Sequence, residues 1–159
     1  MIRAVLTVGG VGLLRPAPGT WASALAIAVG LALHAGGGFP LLALCTAGIT
    51  FAGFRACARG VRPGTDPSDV VIDEVAGQWV ALCFPSAAFW GMGIDRFPYP
   101  GWVAAFVFFR LFDIWKPWVI GRADRRGTPA SVMIDDLLAG VAAGITVMGA
   151  AAVAHGVLM

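Results

Sequence analysis

The sequence has little charge for its length. Only 13% of its 159 residues are charged, whereas 58% are hydrophobic and the mean hydropathy is +0.82. A soluble globule needs more polar surface than this composition supplies, so we expect an integral membrane protein. The net charge of +2 is also too small to support binding to nucleic acid by the chain as a whole, and nucleic acid is not an expected partner.

Cysteine and histidine are scarce as well. Cys45, Cys57 and Cys83 have no CxxC spacing and lie in or beside apolar segments, so they indicate neither a disulfide framework nor a zinc site. None of them has an arginine six positions later, which disfavours a Cys-x5-Arg phosphatase. The two histidines, His34 and His155, map to the side of the membrane opposite most acids. Catalysis through a histidine nucleophile is therefore disfavoured too.

Long apolar segments make up most of the chain. About 20 apolar residues cross the hydrocarbon core as a helix. Residues 5–14 are too short to span and predict an interfacial or re-entrant helix, which we expect the protein to retain. The predicted fold is all-α, with residues 1–159 forming one polytopic transmembrane bundle of about five spanning helices. Gly140 and Gly144 predict a close helix contact. The predicted spans are residues 21–35, 39–58, 75–94, 101–118 and 137–158.

The distribution of charged residues predicts an orientation. With the N-terminus in the cytoplasm, ten of the eleven lysine and arginine residues lie on the cytoplasmic side, and only Arg96 lies opposite. Eight of the nine acids then fall on the same side, with Asp95 alone opposite, although acids played no part in the assignment. The first, third and fifth spans begin at this face. Three helix N-termini, with their positive dipole ends, are therefore expected to point toward the acids.

Acids at the membrane border indicate a metal site. Asp73, Glu74, Asp113, Asp135 and Asp136 each stand beside an apolar run, where a carboxylate is costly unless a cation, a partner or a function compensates it. Oxygen donors without histidine favour Mg²⁺, or alternatively Mn²⁺ or Ca²⁺, over Zn²⁺. Arginines interleaved with the acids can bind phosphate through paired donors. This pattern leaves open both metal-assisted hydrolysis and transfer through an aspartate.

Each feature also has a simpler structural explanation. The acid pairs could stabilise helix N-termini, and Thr20 could only cap a helix. Arg110 and Asp113 could form an internal ion pair, and Arg125 could only anchor the topology. A small transporter or ion channel would also carry intramembrane carboxylates, but inverted repeats are not evident. A lipid transferase is disfavoured because its DG-x2-AR pattern is missing, and a purely structural or partner-binding role stays open.

Several strings, in this order, resemble the phosphatidylglycerophosphatase A family. The first is Pro18-Gly19-Thr20, and an acidic motif follows at residues 66–79. The string FRxxDxWKPW occupies residues 109–118, and a second acidic motif occupies residues 133–140. The resemblance covers roughly residues 18–144, and FRxxDxWKPW is long enough to be highly specific.

The resemblance implies a multi-pass enzyme of the bacterial inner membrane whose site faces the cytoplasm. Such an enzyme hydrolyses phosphatidylglycerophosphate to phosphatidylglycerol and inorganic phosphate with Mg²⁺, so its partners are this phospholipid and membrane lipids. Together with the acid cluster, this motivates a hypothesis for the site. Asp73, Glu74, Asp113 and Asp136 would be catalytic, with Glu74 as general base, and the same four with Asp135 would bind metal. The residues expected to bind substrate are Thr20, Arg110, Lys116 and Arg125.

Overall fold

The computed structural model describes residues 1–65 and 67–158, and every regular element in these ranges is helical. The all-α prediction is therefore confirmed for the described residues. The elements are α1 (Ile2–Leu6), a 3₁₀ turn (Val11–Leu13), α2 (Pro18–Gly60), α3 (Ile72–Gly91), α4 (Gly101–Trp115), α5 (Trp118–Asp124) and α6 (Ser131–Leu158).

Helix α2 is 43 residues long and is broken near its middle. Gly37 and Gly38 leave helical geometry there, and Gly38 has a φ of +63°, a left-handed conformation that favours glycine. A Cβ at Gly38 would also overlap the ring of Trp90. The two arms of α2 correspond to the predicted spans 21–35 and 39–58.

Two described helices are long and apolar enough to cross a membrane, Pro18–Gly60 and Ser131–His155. Helix α3 has 20 residues but carries Asp73 and Glu74 in its first turn, and α4 has only 15 residues. Length and composition therefore do not confirm the prediction of about five spanning helices. The break in α2 leaves two arms that could cross separately.

The chain turns sharply after α4, where the sequence predicted a continuous helix to residue 118. Helix α4 ends at Trp115, because Pro117 cannot donate a backbone hydrogen bond and disfavours helical geometry in the residue before it. Lys116 adopts a left-handed conformation with a φ of +48°. The short helix α5 then follows, which the sequence pattern did not predict.

Helices α3 and α6 both begin earlier than predicted. Helix α3 begins at Ile72 rather than residue 75, and α6 begins at Ser131 rather than residue 137. At the start of α6, the Thr128 N–H donates to Ser131 Oγ at 2.9 Å, and the Ser131 N–H donates to Thr128 Oγ1 at 3.1 Å. This reciprocal capping adds a turn to the helix. Asp135 and Asp136 therefore lie inside α6.

Helices α3 and α6 approach closely through glycine. A Cβ at Gly140 would collide with the carbonyl oxygen of Gly77, and one at Gly144 would overlap the ring of Phe84. The predicted close contact at Gly140 and Gly144 is confirmed. A Cβ at Gly77 would lie 2.5 Å from the carbonyl oxygen of Asp136. This approach brings the first turn of α3 and the second turn of α6, which carry the acids, close together.

The N-terminal segment is a short helix followed by a 3₁₀ turn rather than one helix over residues 5–14. Leu6 is buried, and its carbonyl accepts the Val71 N–H at 2.9 Å. The segment therefore packs beside the loop that precedes α3. Its five-residue helix is too short to span, as predicted.

His34 lies at the opposite end of the bundle from the acids. Its Nδ1 is 2.7 Å from Ser86 Oγ, and its Nε2 is 3.2 Å from the carbonyl oxygen of Ile94. Because a carbonyl only accepts, Nε2 carries the proton and the Ser86 hydroxyl donates to Nδ1. His34 thus connects α2, α3 and the following loop, away from the acids.

Candidate active site

A polar cavity of about 510 Å³ opens at one end of the bundle. The starts of α2, α3 and α6, the end of α4 and two loops line it. The Gly64 N–H of one loop donates to the Gly127 carbonyl of the other at 2.7 Å. Among the described residues, the ionisable groups that line the cavity are six acids and two cations, namely Asp73, Glu74, Asp113, Asp124, Asp135 and Asp136 with Arg110 and Lys116.

Three of these acids converge from different helices. Glu74 on α3, Asp113 on α4 and Asp136 on α6 each offer one carboxylate oxygen, and the three oxygens lie within 4.8 Å of one another. Asp136 is 4% exposed and Asp113 is 9% exposed, so water solvates these groups poorly. Neighbouring ligands of octahedral Mg²⁺ are about 3.0 Å apart and opposite ones about 4.2 Å, since each bond is about 2.1 Å. The three oxygens would therefore have to draw closer together to bind one ion.

Arg110 joins two of the three converging acids. Its Nη1 donates to Glu74 Oε2 and lies 2.8 Å from Asp113 Oδ2. The Ser23 hydroxyl on α2 donates to the same Glu74 oxygen at 3.1 Å. The internal ion pair considered for Arg110 and Asp113 thus exists, but Glu74 shares the guanidinium. These contacts fix the orientation of the Glu74 carboxylate.

A second group of charges surrounds Lys116. Its Nζ donates to Asp124 Oδ1 at 2.5 Å and to Asp135 Oδ2 at 2.7 Å. Burial alone would lower the pKa of Lys116, but the two carboxylates raise it above its ordinary value, so the ammonium stays charged. Asp135 is 4% exposed, and its Oδ1 has no hydrogen-bond partner among the described residues. A buried oxygen of this kind is normally satisfied by a ligand, an ion or water.

Asp73 and Thr20 line the same cavity. Asp73 is 8% exposed and accepts the Glu74 N–H at 3.0 Å. Thr20 lies in the first turn of α2, next to Gly19. A Cβ at Gly19 would overlap the Glu74 carboxylate. The absence of a side chain at Gly19 therefore allows Glu74 to approach the N-terminus of α2.

The cavity contains eight of the nine predicted site residues, and Arg125 is the exception. Arg125 is exposed, and its Nη1 would lie 3.2 Å from a Cβ at Gly121 on α5. Asp69 pairs with Arg3 at 2.6 Å and does not line the described cavity. Asp66, in the first acidic motif, lies outside the described residues. The functional roles of all nine residues stay predictions.

Ser23 and Asp124 were not among the predicted site residues. Ser23 lies three residues after Thr20 on α2, so its helical spacing was a usable signal. Asp124 ends α5, a helix that the sequence did not predict, and it meets Lys116 only because the chain reverses there. Contacts of this kind depend on tertiary structure.

The charge balance of the cavity favours a bound divalent cation. In the described lining, six carboxylates face two cationic side chains, and carboxylates held this close repel one another unless a proton or a cation compensates them. The described lining contains no histidine or cysteine, so its donors are hard oxygens that suit Mg²⁺ better than Zn²⁺. Glu74, Asp113 and Asp136 could hold such an ion, and Asp73 and Asp135 line the same space.

Comparison with known proteins decides the family. The family model described as Phosphatidylglycerophosphatase A matches residues 4–151. The chain belongs to this family. The resemblance of its motifs to phosphatidylglycerophosphatase A is thereby confirmed. Membership indicates a phosphoric monoester hydrolase that acts on a phospholipid and is associated with a membrane.

Curated relatives agree on lipid phosphatase activity but differ in the named lipid. Phosphatidylglycerophosphatase A of Haemophilus influenzae is 34% identical over 151 residues, which are 90% of this chain and 85% of that protein. Its counterpart in Escherichia coli is 40% identical over 78 residues, 48% of this chain and 40% of that protein. A Bacteroides thetaiotaomicron protein with the provisional name phosphatidylinositol-3-phosphatase is 37% identical over 131 residues, 79% of this chain and 77% of that protein. No solved structure matches significantly.

Proposed function

We propose that this protein hydrolyses the terminal phosphomonoester of phosphatidylglycerophosphate in a Mg²⁺-dependent reaction, giving phosphatidylglycerol and inorganic phosphate. One observation carries the proposal. The Glu74, Asp113 and Asp136 oxygens lie within 4.8 Å of one another in a cavity where carboxylates outnumber cations. The names of the Haemophilus influenzae and Escherichia coli relatives support this choice of lipid.

The side chains divide into two roles. Glu74, Asp113 and Asp136, with Asp73 and Asp135, hold Mg²⁺, which when bound supplies charge that neutralises the phosphate and favours ionisation of water. Glu74 also serves as general base, oriented by Ser23 and Arg110.

The cationic and hydroxyl groups bind the phosphate. Arg110 and Lys116 line the cavity and offer charged donors to the phosphate oxygens, which stabilises charge that develops during transfer. Thr20 and the backbone N–H groups in the first turn of α2 add neutral donors near the positive end of the helix dipole. Arg125, outside the cavity, could reach the phosphate only after a rearrangement.

The proposed setting is the bacterial inner membrane, with the cavity facing the cytoplasm. The excess of arginine at one side supports this orientation. Five crossings would use the two arms of α2 together with α3, α4 and α6. The ends of these helices that carry the acids would then lie at the cytoplasmic border of the bilayer.

Phosphate release from defined lipids tests the proposal directly. Purified protein is expected to release phosphate from phosphatidylglycerophosphate with Mg²⁺, to stop when EDTA is added, and to recover with excess Mg²⁺. Phosphatidylinositol 3-phosphate, the lipid named for the Bacteroides thetaiotaomicron relative, is the competing substrate. Faster hydrolysis of that lipid would show that it, and not phosphatidylglycerophosphate, is the preferred substrate. Activity that persists in EDTA would contradict the proposed dependence on Mg²⁺. A small transporter or channel would release no phosphate from either lipid.

Replacing Ser23 with alanine should slow turnover without unfolding the protein. Ser23 is fully buried and its hydroxyl donates to Glu74, so the substitution loosens the carboxylate. We expect kcat to fall by roughly three- to tenfold, the effect of one modest hydrogen bond. Thr46→Ala is the matched control, because its hydroxyl donates to the Leu42 carbonyl in the second arm of α2. Equal losses in both variants would contradict a specific role for Ser23.

A further inference from the structure

Three exposed tryptophans lie next to or near residues that line the cavity. Trp21, Trp115 and Trp118 are 50%, 65% and 80% exposed, respectively. Trp21 directly follows Thr20, which lines the cavity, while Trp115 and Trp118 flank Lys116 and Pro117, and Lys116 lines it too. Large indoles are costly to expose to water. At a membrane surface the same arrangement is favourable, because indole partitions to the level of the lipid headgroups.

The backbone between α4 and α5 holds two of these indoles together. Lys116 and Trp118 both adopt left-handed conformations, with φ values of +48° and +44°. Such geometry is uncommon outside glycine and persists only where the surroundings impose it. The resulting turn brings the rings of Trp115 and Trp118 to a centroid distance of 6.5 Å while both remain exposed.

Charge beside the indoles identifies the partner. Arg122 on α5 and Arg126 just after it are exposed and do not line the cavity in the described part of the chain. Exposed arginines next to exposed tryptophans complement a layer of anionic phosphates over hydrocarbon. Ile114 and Val119, at 72% and 55% exposed, extend the apolar part of this surface.

We propose that this rim, consisting of Trp21, Trp115, Trp118, Arg122 and Arg126, binds the phospholipid headgroup layer and holds the cavity at headgroup depth. A phosphomonoester on a lipid then reaches the carboxylates while its acyl chains stay in the bilayer. The occupant of the rim is lipid rather than a second copy of the chain. The access of the lipid phosphomonoester to the carboxylates rests on the proposed function, whereas the depth of the rim in the bilayer does not.

Fluorescence quenching in nanodiscs measures the depth without any activity. The emission that Trp115 and Trp118 contribute is the difference between the wild type and the Trp115→Phe/Trp118→Phe variant. We expect lipids brominated near the headgroup to quench this difference more strongly than lipids brominated near the chain end. Weak quenching by both lipids, or stronger quenching by the deep bromines, would overturn the proposal. So would a change in oligomeric state on substitution, since the rim would then be a protein interface.

Kinetics with two substrates test the functional consequence. For Trp115→Ala/Trp118→Ala we expect the KM for bilayer-borne substrate to rise roughly tenfold, as when anchoring aromatics are truncated. The kcat, and the hydrolysis of a short-chain, water-soluble homologue, should stay near wild type. Tyr99→Ala, which removes an aromatic ring 75% exposed in the loop before α4, is the control and should leave the KM unchanged. Equal losses with both substrates would overturn the rim proposal. If the wild-type protein hydrolysed neither substrate, the proposed function would be rejected. The quenching result would still show whether the rim lies at headgroup depth.

Discussion

Asp136→Asn is expected to lower phosphate release by roughly 10³-fold, since the loss of a metal-binding charge removes several kcal/mol of transition-state stabilisation. Asn keeps the size of the side chain but removes one negative charge from the three converging acids. Asp136 is the most informative of the three because, unlike Glu74 and Asp113, it is not ion-paired with Arg110. Asp73→Asn and Asp113→Asn should also abolish Mg²⁺-dependent release.

The stability of the Asp136→Asn protein separates catalysis from folding. Asp136 is 4% exposed and lies beside the carboxylates of Glu74 and Asp113, so neutralising it removes repulsion when no cation is bound. We therefore expect its Tm in EDTA to equal or exceed that of the wild type. Added Mg²⁺ should raise the Tm of the wild type but hardly that of the variant, because ligands stabilise the state that binds them.

Asp95→Asn is the matched control for these substitutions. Asp95 is exposed in the loop after α3, at the opposite end of that helix from Asp73 and Glu74. Its replacement should leave phosphate release near wild type. Near wild-type turnover in all three site variants would reject the carboxylate cluster as the catalytic site, and a severe loss in Asp95→Asn would contradict the proposed orientation.

The sequence predicted the shared face of the acids because hydropathy and charge are properties of whole segments. Segment order alone places the starts of the first, third and fifth spans together, and the starts of α2, α3 and α6 do line one cavity. The helical fold and the glycine contact of Gly140 and Gly144 followed from equally regular patterns. The prediction of these features stays correct even when the predicted bounds of each helix are wrong by several residues.

Other details of the site depend on local turns and on tertiary contacts. The turn at Lys116 and Pro117 separates α4 from α5, and Arg125, which follows α5, does not line the cavity, although it was expected to bind substrate. The hydrogen bond from Ser23 to Glu74 joins residues 51 positions apart, so it depends on how α2 packs against α3. No local pattern specifies such a contact.

The glycine of the PGT element has a structural explanation that the sequence alone did not supply. Pro18 begins α2, and Gly19 lies in its first turn with the Glu74 carboxylate directly against it. A Cβ at Gly19 would overlap Glu74 Oε1, lie 2.8 Å from its Cδ, and lie 3.3 Å from Nη1 of Arg110. Any larger residue must therefore displace the side chains that organise the three converging acids.

Gly19→Ala is accordingly expected to reduce kcat by about a hundredfold, the cost of moving a catalytic group by about 1 Å. Alanine favours helix more than glycine, so the variant should fold as well as the wild type. Gly48→Ala is the control in the same helix, because a Cβ there meets nothing within 4 Å, and its turnover should not change. If Gly19→Ala kept wild-type kcat, Glu74 would not need its position beside α2, and its assignment as general base would fail. A loss of activity with unchanged Tm would instead tie catalysis to the placement of this one carboxylate.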